Sequence, residues 1–175
     1  GELLGRFYRR KFDLDFRCLR YCAVVGPGAS GYFAMYTCWM IEKPALGKPY
    51  ECSVAEDAAI PVIYFKDAIR ATQMLYDAPK EQIKTVCYNV SGVSPARTAK
   101  ELEVAVKKFI PEAKITYKPD PLVMEFMQSQ NIKVFDDSRA REEWGWKPLH
   151  PDFEKIVADF IQEVRTKPQF YGLAT

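Results

Sequence analysis

Short apolar runs alternate with longer segments whose apolar residues recur every three or four positions. That alternation restricts the chain to an α/β architecture of strands and connecting helices. Phe16 to Val25 reads as a buried strand. It runs into the loop Gly26-Pro27-Gly28-Ala29-Ser30-Gly31, and Tyr32 to Glu42 follows as a helix. Ile60 to Phe65 is a second strand, after which Asp67 is expected to cap a helix that carries Ile69, Met74 and Leu75 to Asp77. Thr85 to Val90 is a third. Thr98 and Glu101 have the spacing of a capping box, before a helix through Leu102, Val106 and Phe109 that Pro111 ends. Lys114 to Tyr117 is a short edge strand. Asp152 opens a last helix with Phe153, Ile156, Val157, Phe160 and Val164 on one face; Pro168 closes it, and residues 169–175 are expected to form a loose tail.

At 175 residues and 48% hydrophobic content, the chain can bury one sizeable core. A net charge of +2 disfavours a nucleic-acid binder held by phosphate neutralisation, and Arg9-Arg10-Lys11 reads as a solvated helix face. No apolar run approaches the ~20 residues of a membrane span. Five cysteines without C-x-x-C, beside the single His150, argue against a metal site. They point to reduced thiols and a cytoplasmic location. Cys18 and Cys22, on one strand, read as core packing rather than a redox pair.

Leu3, Leu4, Phe7, Tyr8 and Phe12 fall at helical spacing, with Arg6, Arg9 and Arg10 on the other side. No Ser, Thr, Asp or Asn cap precedes them, so the chain is expected to enter inside a helix, with further protein before Gly1. Gly26 to Gly31 formally match G-x-G-x-x-G between a strand and a helix. Pro27, however, lacks the N–H that a phosphate cradle uses. The segment is better read as a tight loop at the end of a parallel strand, where open α/β sheets bind ligands. Ser30 with His150 lacks the G-x-S-x-G elbow of a hydrolase. Asp136-Asp137 is read as a helix cap ahead of an acid/base pair.

The sharpest block is Asp136-Asp137-Ser138-Arg139-Ala140-Arg141-Glu142-Glu143-Trp144-Gly145-Trp146-Lys147-Pro148. Asp137 or Ser138 is expected to cap a short helix with Arg141 to Glu143 on its outer side. Gly145 would stop it, Pro148 would block its continuation, and Trp144 and Trp146 would anchor it. The block resembles the C-terminal end of the extended short-chain dehydrogenases/reductases, the NAD-dependent epimerase and dehydratase superfamily. Arg20 to Gly28 resembles that superfamily's R-x-x-x-V-x-G-P-G strand and loop, Val62 to Ala71 one of its strand-helix units, and Tyr88-Asn89-Val90-Ser91-Gly92 its Y-N turn. Within it, Leu14-Asp15-Phe16-Arg17-Cys18-Leu19-Arg20-Tyr21 is most similar to the short-chain-type L-threonine 3-dehydrogenases, as are Gly47 to Cys52 and Lys66 to Thr72.

The resemblance implies the C-terminal part of a Rossmann-type α/β fold, with residues 1–167 as its substrate-binding portion. It implies NAD as cofactor of the complete protein, lying along Tyr21, Cys22, Ala23 and Val24, and a small secondary alcohol as substrate against Gly28, Ser30, Gly31 and Tyr32. The family's substrate loop, G-G-T-T-D-Y-A, falls on Gly28 to Ala34, where only Gly28 and Ala34 are kept and Ser30 replaces the first Thr. The family's catalytic Tyr-x-x-x-Lys would lie before Gly1, so no catalytic residue is assigned here and the chain alone is expected to be inactive. Tyr8, Tyr21, Tyr32, Tyr36, Tyr64 and Tyr88 are not followed by Lys at the fourth position. The family also implies a homodimer through the helix around Leu3 to Phe12, or association with the N-terminal half. Two other readings stay open: a nucleotide-sugar epimerase or dehydratase fragment, disfavoured by Ala23 where that branch carries Asn, and a non-catalytic truncated homologue.

Overall fold

The extended run after Phe16 breaks at Cys22 into two strands that take different partners. The computed structural model describes residues 1–31, 35–130, 132 and 134–173. Strand β1 (Cys18–Tyr21) runs parallel to β5 (Cys87–Val90), with Cys18 opposite Cys87 and Tyr21 opposite Val90. Strand β2 (Ala23–Val25) runs parallel to β4 (Ala59–Tyr64), and β4 pairs antiparallel with β6 (Val93–Thr98). A small parallel pair, β3 (Tyr50–Cys52) with β7 (Ile115–Tyr117), stands apart. The single buried strand expected over Phe16 to Val25 is therefore corrected. Among the described residues β1 and β2 have one partner each, and Tyr21 and Val24 are exposed while Val25 is buried.

Strand β4 is the hinge of the architecture because its side chains alternate between two cores. Val62 and Tyr64 face a large cluster built from α2 (Tyr36–Ala45), α4 (Ala99–Phe109) and α7 (Phe153–Thr166), through Met40, Val106 and Phe160. Ile63 faces the other way, onto α3 (Phe65–Asp77) and α6 (Ser138–Trp144), where Ala71, Leu75, Tyr88, Trp144 and Trp146 pack. Helices thus cover both faces of the β2-β4-β6 sheet, and three of the four strand pairs among the described residues are parallel, the α/β arrangement that the alternation demands. Between β7 and α6 the chain adds α5 (Pro121–Gln130), which opens with the Asp120 carboxylate accepting from Leu122 N at 2.8 Å.

The caps sort the expectations. The box at Thr98 and Glu101 is complete in both directions, and Asp152 accepts from Glu154 N and Lys155 N. Gly145 ends α6 at φ 71°, a left-handed stop where glycine carries no Cβ strain. Asp67, however, is no cap. Helix α3 starts at Phe65, and the wholly buried Asp67 carboxylate accepts from Leu149 N and His150 N at 3.1 and 2.9 Å, tying the chain after Trp146 to the helix. At α6, Asp137 occupies the cap position without a capping bond; it is Asp136 whose carboxylate accepts from Ser138 N, at 3.0 Å. Asp137 turns inward to Arg141 at 2.6 Å and Ser91 at 3.0 Å. Glu143, expected on the outer side, instead accepts from Lys84 N, Thr85 N and the Tyr88 hydroxyl.

Helix α1 (Glu2–Phe12) forms where its periodicity predicts, but its apolar side points to solvent: Leu3 is 85%, Leu4 60% and Phe12 59% exposed. Its inner contacts come from Gly5, which lies against the Phe16 ring, and from Arg9, which donates to the carbonyls of Phe16 and Ile83. The tail is not loose through Leu173. Leu173 N donates to Pro168 O at 2.8 Å, and the Tyr171 ring packs edge-on against Phe65. Among the described residues no helix is long and apolar enough to cross a membrane.

Candidate functional site

The loop Gly26 to Gly31 leaves the carboxyl end of β2 and leads towards α2, so it occupies the ligand position of an open α/β sheet. Three groups clamp its backbone. Gly28 N donates to Glu42 Oε2 at 2.9 Å, from a glutamate that the packing otherwise buries. The Trp39 indole donates to Ala29 O at 3.2 Å. The Tyr171 carbonyl closes over Gly28, and a Cβ there would lie 2.7 Å from that oxygen. With φ at 73°, Gly28 is required by conformation and by space. Ser30 and Gly31 are left exposed on the clamped loop. Tyr32, the remaining residue expected at the substrate, lies outside the described residues, as do Phe33 and Ala34 of the same loop.

The four residues expected along the cofactor diverge in environment. The Tyr21 hydroxyl is held on α3, at 2.6 Å from Thr72 Oγ1 and 3.1 Å from Ala68 O. Cys22 packs against the core around Ile63, and burial pushes its thiol up to about 12. Ala23 packs against the larger core, and Val24 is exposed. Of the four, Val24 and Tyr21 are the exposed side chains, and Tyr21 is tied to α3 through its hydroxyl.

Behind the loop lies a charged network that the sequence reading missed. Lys66 Nζ donates to Asp159 Oδ2 at 2.6 Å and to Glu163 Oε1 at 2.8 Å, and the Tyr64 hydroxyl shares Asp159 at 2.6 Å. The Tyr171 hydroxyl donates to Glu163 Oε2 at 2.9 Å, which fixes the residue whose carbonyl covers Gly28. The bond from Lys66 holds the Glu163 carboxyl down at about 2. Of the groups that hold the loop, Glu42 carried a readable signal: it is an acid that follows the uncharged stretch from Tyr36 to Ile41. Tyr171, sited in a segment without periodicity, had none.

Two other constellations resolve into structural roles. His150 sits over Asp67, with Nδ1 3.2 Å from Oδ1, and meets the Tyr64 ring edge-on, so its surroundings tie it to α3. The sequence holds one Tyr-x-x-x-Lys spacing, Tyr76 to Lys80. Tyr76 is 79% exposed near the end of α3, Ala78 is extended, and Lys80 pairs with Asp13 at 2.7 Å. Tyr76 and Lys80 therefore share no helix face and form no acid/base pair there.

No family model matches the chain. It is 35% identical over 174 residues to the mitochondrial L-threonine 3-dehydrogenase of Bos taurus, an alignment that covers 98% of this chain and 44% of that protein. An uncharacterised epimerase/dehydratase of Staphylococcus saprophyticus is 27% identical over 169 residues, covering 93% and 51%. Among solved structures, the holo form of a GalE-like L-threonine dehydrogenase from Cupriavidus necator superposes with a TM-score of 0.84 at 30% identity, over 94% of this chain and 53% of that one. The chain is thus a relative of the L-threonine 3-dehydrogenases and of the epimerase/dehydratases, and it matches a portion of the extended short-chain dehydrogenase fold. It spans about half the length of the curated relatives it matches.

Proposed function

We propose that this relative of the extended short-chain dehydrogenases supplies the substrate-binding portion of an NAD-dependent oxidoreductase that oxidises a small secondary alcohol in the manner of an L-threonine 3-dehydrogenase. The observation that carries the reading is the clamped loop Gly28 to Gly31 at the carboxyl end of β2, set in a fold shared with L-threonine dehydrogenases. In this reading the Ser30 hydroxyl bonds a polar group of the substrate. Glu42, Trp39 and Tyr171 hold the loop that carries it, and Val24 lies along the cofactor. In this reading the general acid/base lies outside the described residues, since none of the described tyrosines combines a lysine partner with a place at the loop. Five unpaired thiols support a reducing compartment, the cytoplasm in the first instance; the name of the bovine relative raises the mitochondrion as the alternative. The epimerase/dehydratase relatives support a second reading, a nucleotide-sugar enzyme, which Ala23 disfavours because it offers no polar side chain to a sugar nucleotide.

The test uses the complete gene product. Oxidation of L-threonine with NAD is expected, and none of UDP-glucose. Ser30→Ala is expected to raise the KM about five-fold, the worth of one hydroxyl hydrogen bond of ~1 kcal/mol, with the melting temperature unchanged. Unaltered kinetics would take Ser30 out of the site, and turnover of UDP-glucose alone would replace the dehydrogenase reading with the second one.

A further inference from the structure

The opposition of β1 to β5 puts two cysteines side by side, and the amino end of α1 adds a carboxylate. Cys18 and Cys87 are direct partners across the parallel pair. Cys18 Sγ lies 3.9 Å from Glu2 Oε1, within reach of a weak thiol hydrogen bond. The two Sγ atoms and a Glu2 carboxylate oxygen all lie within 4.8 Å of one another. Among the described residues no other group of three His, Cys, Asp or Glu ligand atoms comes so close. Sequence spacing gave no sign of it, because the members come from a helix and two strands far apart in the chain.

We propose that Glu2, Cys18 and Cys87 form a binding site for a thiophilic divalent cation, zinc in the first place. Two thiolates and a carboxylate form a donor set that suits zinc. A tetrahedral zinc with Zn–S of ~2.3 Å needs its sulfurs about 3.7 Å apart, within the 4.8 Å span of the group. Arg20 holds the carboxylate from behind through its Nε, 2.8 Å from Oε1, and through its terminal nitrogen to the other oxygen. Carboxylate ligands are commonly steadied in this way. Two thiolates and the Glu2 carboxylate, less the Arg20 guanidinium, leave two negative charges for a divalent ion to neutralise. Arg6, the other cation near Glu2, is exposed and screened.

Without a cation the Cys18 thiol stays protonated. Burial first, then the hydrogen bond with Cys87 and the charges of Cys87 and Glu2, push the Cys18 thiol up to about 11. Cys18 is therefore a poor nucleophile at neutral pH. A cation reverses the balance: two S–H bonds break, two metal–sulfur bonds form, and two protons go to solvent. A cleft of about 500 Å³ that Cys87 lines with Arg6 and Arg20 gives the ion a way in.

The experiment titrates the fully reduced 175-residue chain with cobalt(II), then displaces the cobalt with zinc. One equivalent of cobalt is expected to give a near-ultraviolet thiolate charge-transfer band that zinc abolishes. Zinc is also expected to raise the melting temperature, as any ligand of the folded state does. Release of two protons makes the apparent affinity rise about 100-fold per pH unit below the thiol range. Cys18→Ser and Cys87→Ser should each remove the band, and Cys22→Ser should leave it. Arg20→Ala should weaken binding about 10- to 100-fold while keeping the band. Should Cys87→Ser fail to fold, Cys18→Ser and Glu2→Gln, at half-buried positions, carry the test with folding checked by circular dichroism. Absence of the band in the wild-type chain, or its persistence in Cys18→Ser, overturns the proposal.

Discussion

Gly28 carries more constraint than any other position of the candidate site. Its φ of 73° lies in the left-handed region, which costs a residue with a side chain roughly 1–2 kcal/mol, and the Tyr171 carbonyl occupies the space a Cβ would need. Gly28→Ala is therefore expected to lower stability by about 2 kcal/mol or more, read as a drop in urea midpoint at constant slope. Tyr171→Phe, which keeps the carbonyl and loses only the bond to Glu163, should cost less; a Gly28→Ala midpoint equal to wild type would mean the loop is free to move. Glu163 makes a second prediction at this scale. Its folded pKa is held at about 2, below the ordinary 4.5, by the bond from Lys66. A depressed carboxylate stabilises the fold fully above its unfolded pKa, and that contribution is lost as pH falls from 4.5 towards about 2. Urea midpoints measured across this window should fall more steeply for wild type than for Glu163→Gln. Glu103 is also held at about 2 and keeps part of the slope in both. Equal slopes would show that the pairing at Glu163 adds nothing to stability.

Among the elements, α4 is the clearest case of local sequence deciding local structure. Thr98 Oγ1 accepts from Glu101 N at 3.1 Å and Glu101 returns a bond to Thr98 N at 2.8 Å, both donors being orphans of the first turn. Thr98→Ala is expected to cost about 1 kcal/mol, within the 0.5–2 of measured caps, and Thr98→Ser should recover most of it. An unchanged thermal midpoint in Thr98→Ala would show that packing on α2 and α7 alone holds this helix. The same locality explains what could be read in advance. Caps at Thr98, Asp152 and Gly145, the apolar face of α7, and Leu75, Leu102 and Val106 of α3 and α4 depend on neighbours within a few residues, and they were legible; Ile69 and Phe109, read with them, are exposed. Asp67 and Glu143 were not, because their carboxylates serve backbone donors 82 and 58 positions away at Leu149 and Thr85. The site divides the same way: Gly28 and Ser30 stand in a readable strand–loop–helix, whereas Tyr171 and the Glu2–Cys18–Cys87 group meet only after the chain has folded. The break at Cys22 left no local mark either, since which strand pairs with which is decided by partners in space.

For the molecule as a whole, what remains uncovered matters as much as what is packed. Helix α1 shows Leu3, Leu4, Phe7, Tyr8 and Phe12 to solvent, and the aromatic members pack on one another there, Phe7 edge-on to Tyr8 at 5.7 Å and Tyr8 tilted against Phe12 at 5.3 Å. Beside this face, β1 and β2 each leave an edge without a strand among the described residues, and Val24 is open. A contiguous apolar face and a free strand edge are both pairing surfaces in water. The isolated chain is therefore expected to self-associate, with a sedimentation coefficient that rises with concentration. Leu3→Glu combined with Phe12→Glu should weaken that association at least about ten-fold, since burying one such side chain is worth roughly 1.5–3 kcal/mol. Val24→Lys reads the strand edge separately: a large effect there and none in α1 would assign association to β2 instead of the helix. A single species at all concentrations, melting in one cooperative transition, would overturn the expectation. It would mean that the Lys11 ammonium, about 5 Å from the Phe7 and Phe12 rings (5.4 and 5.2 Å), and the hydrated arginines beside it keep the face soluble without a partner.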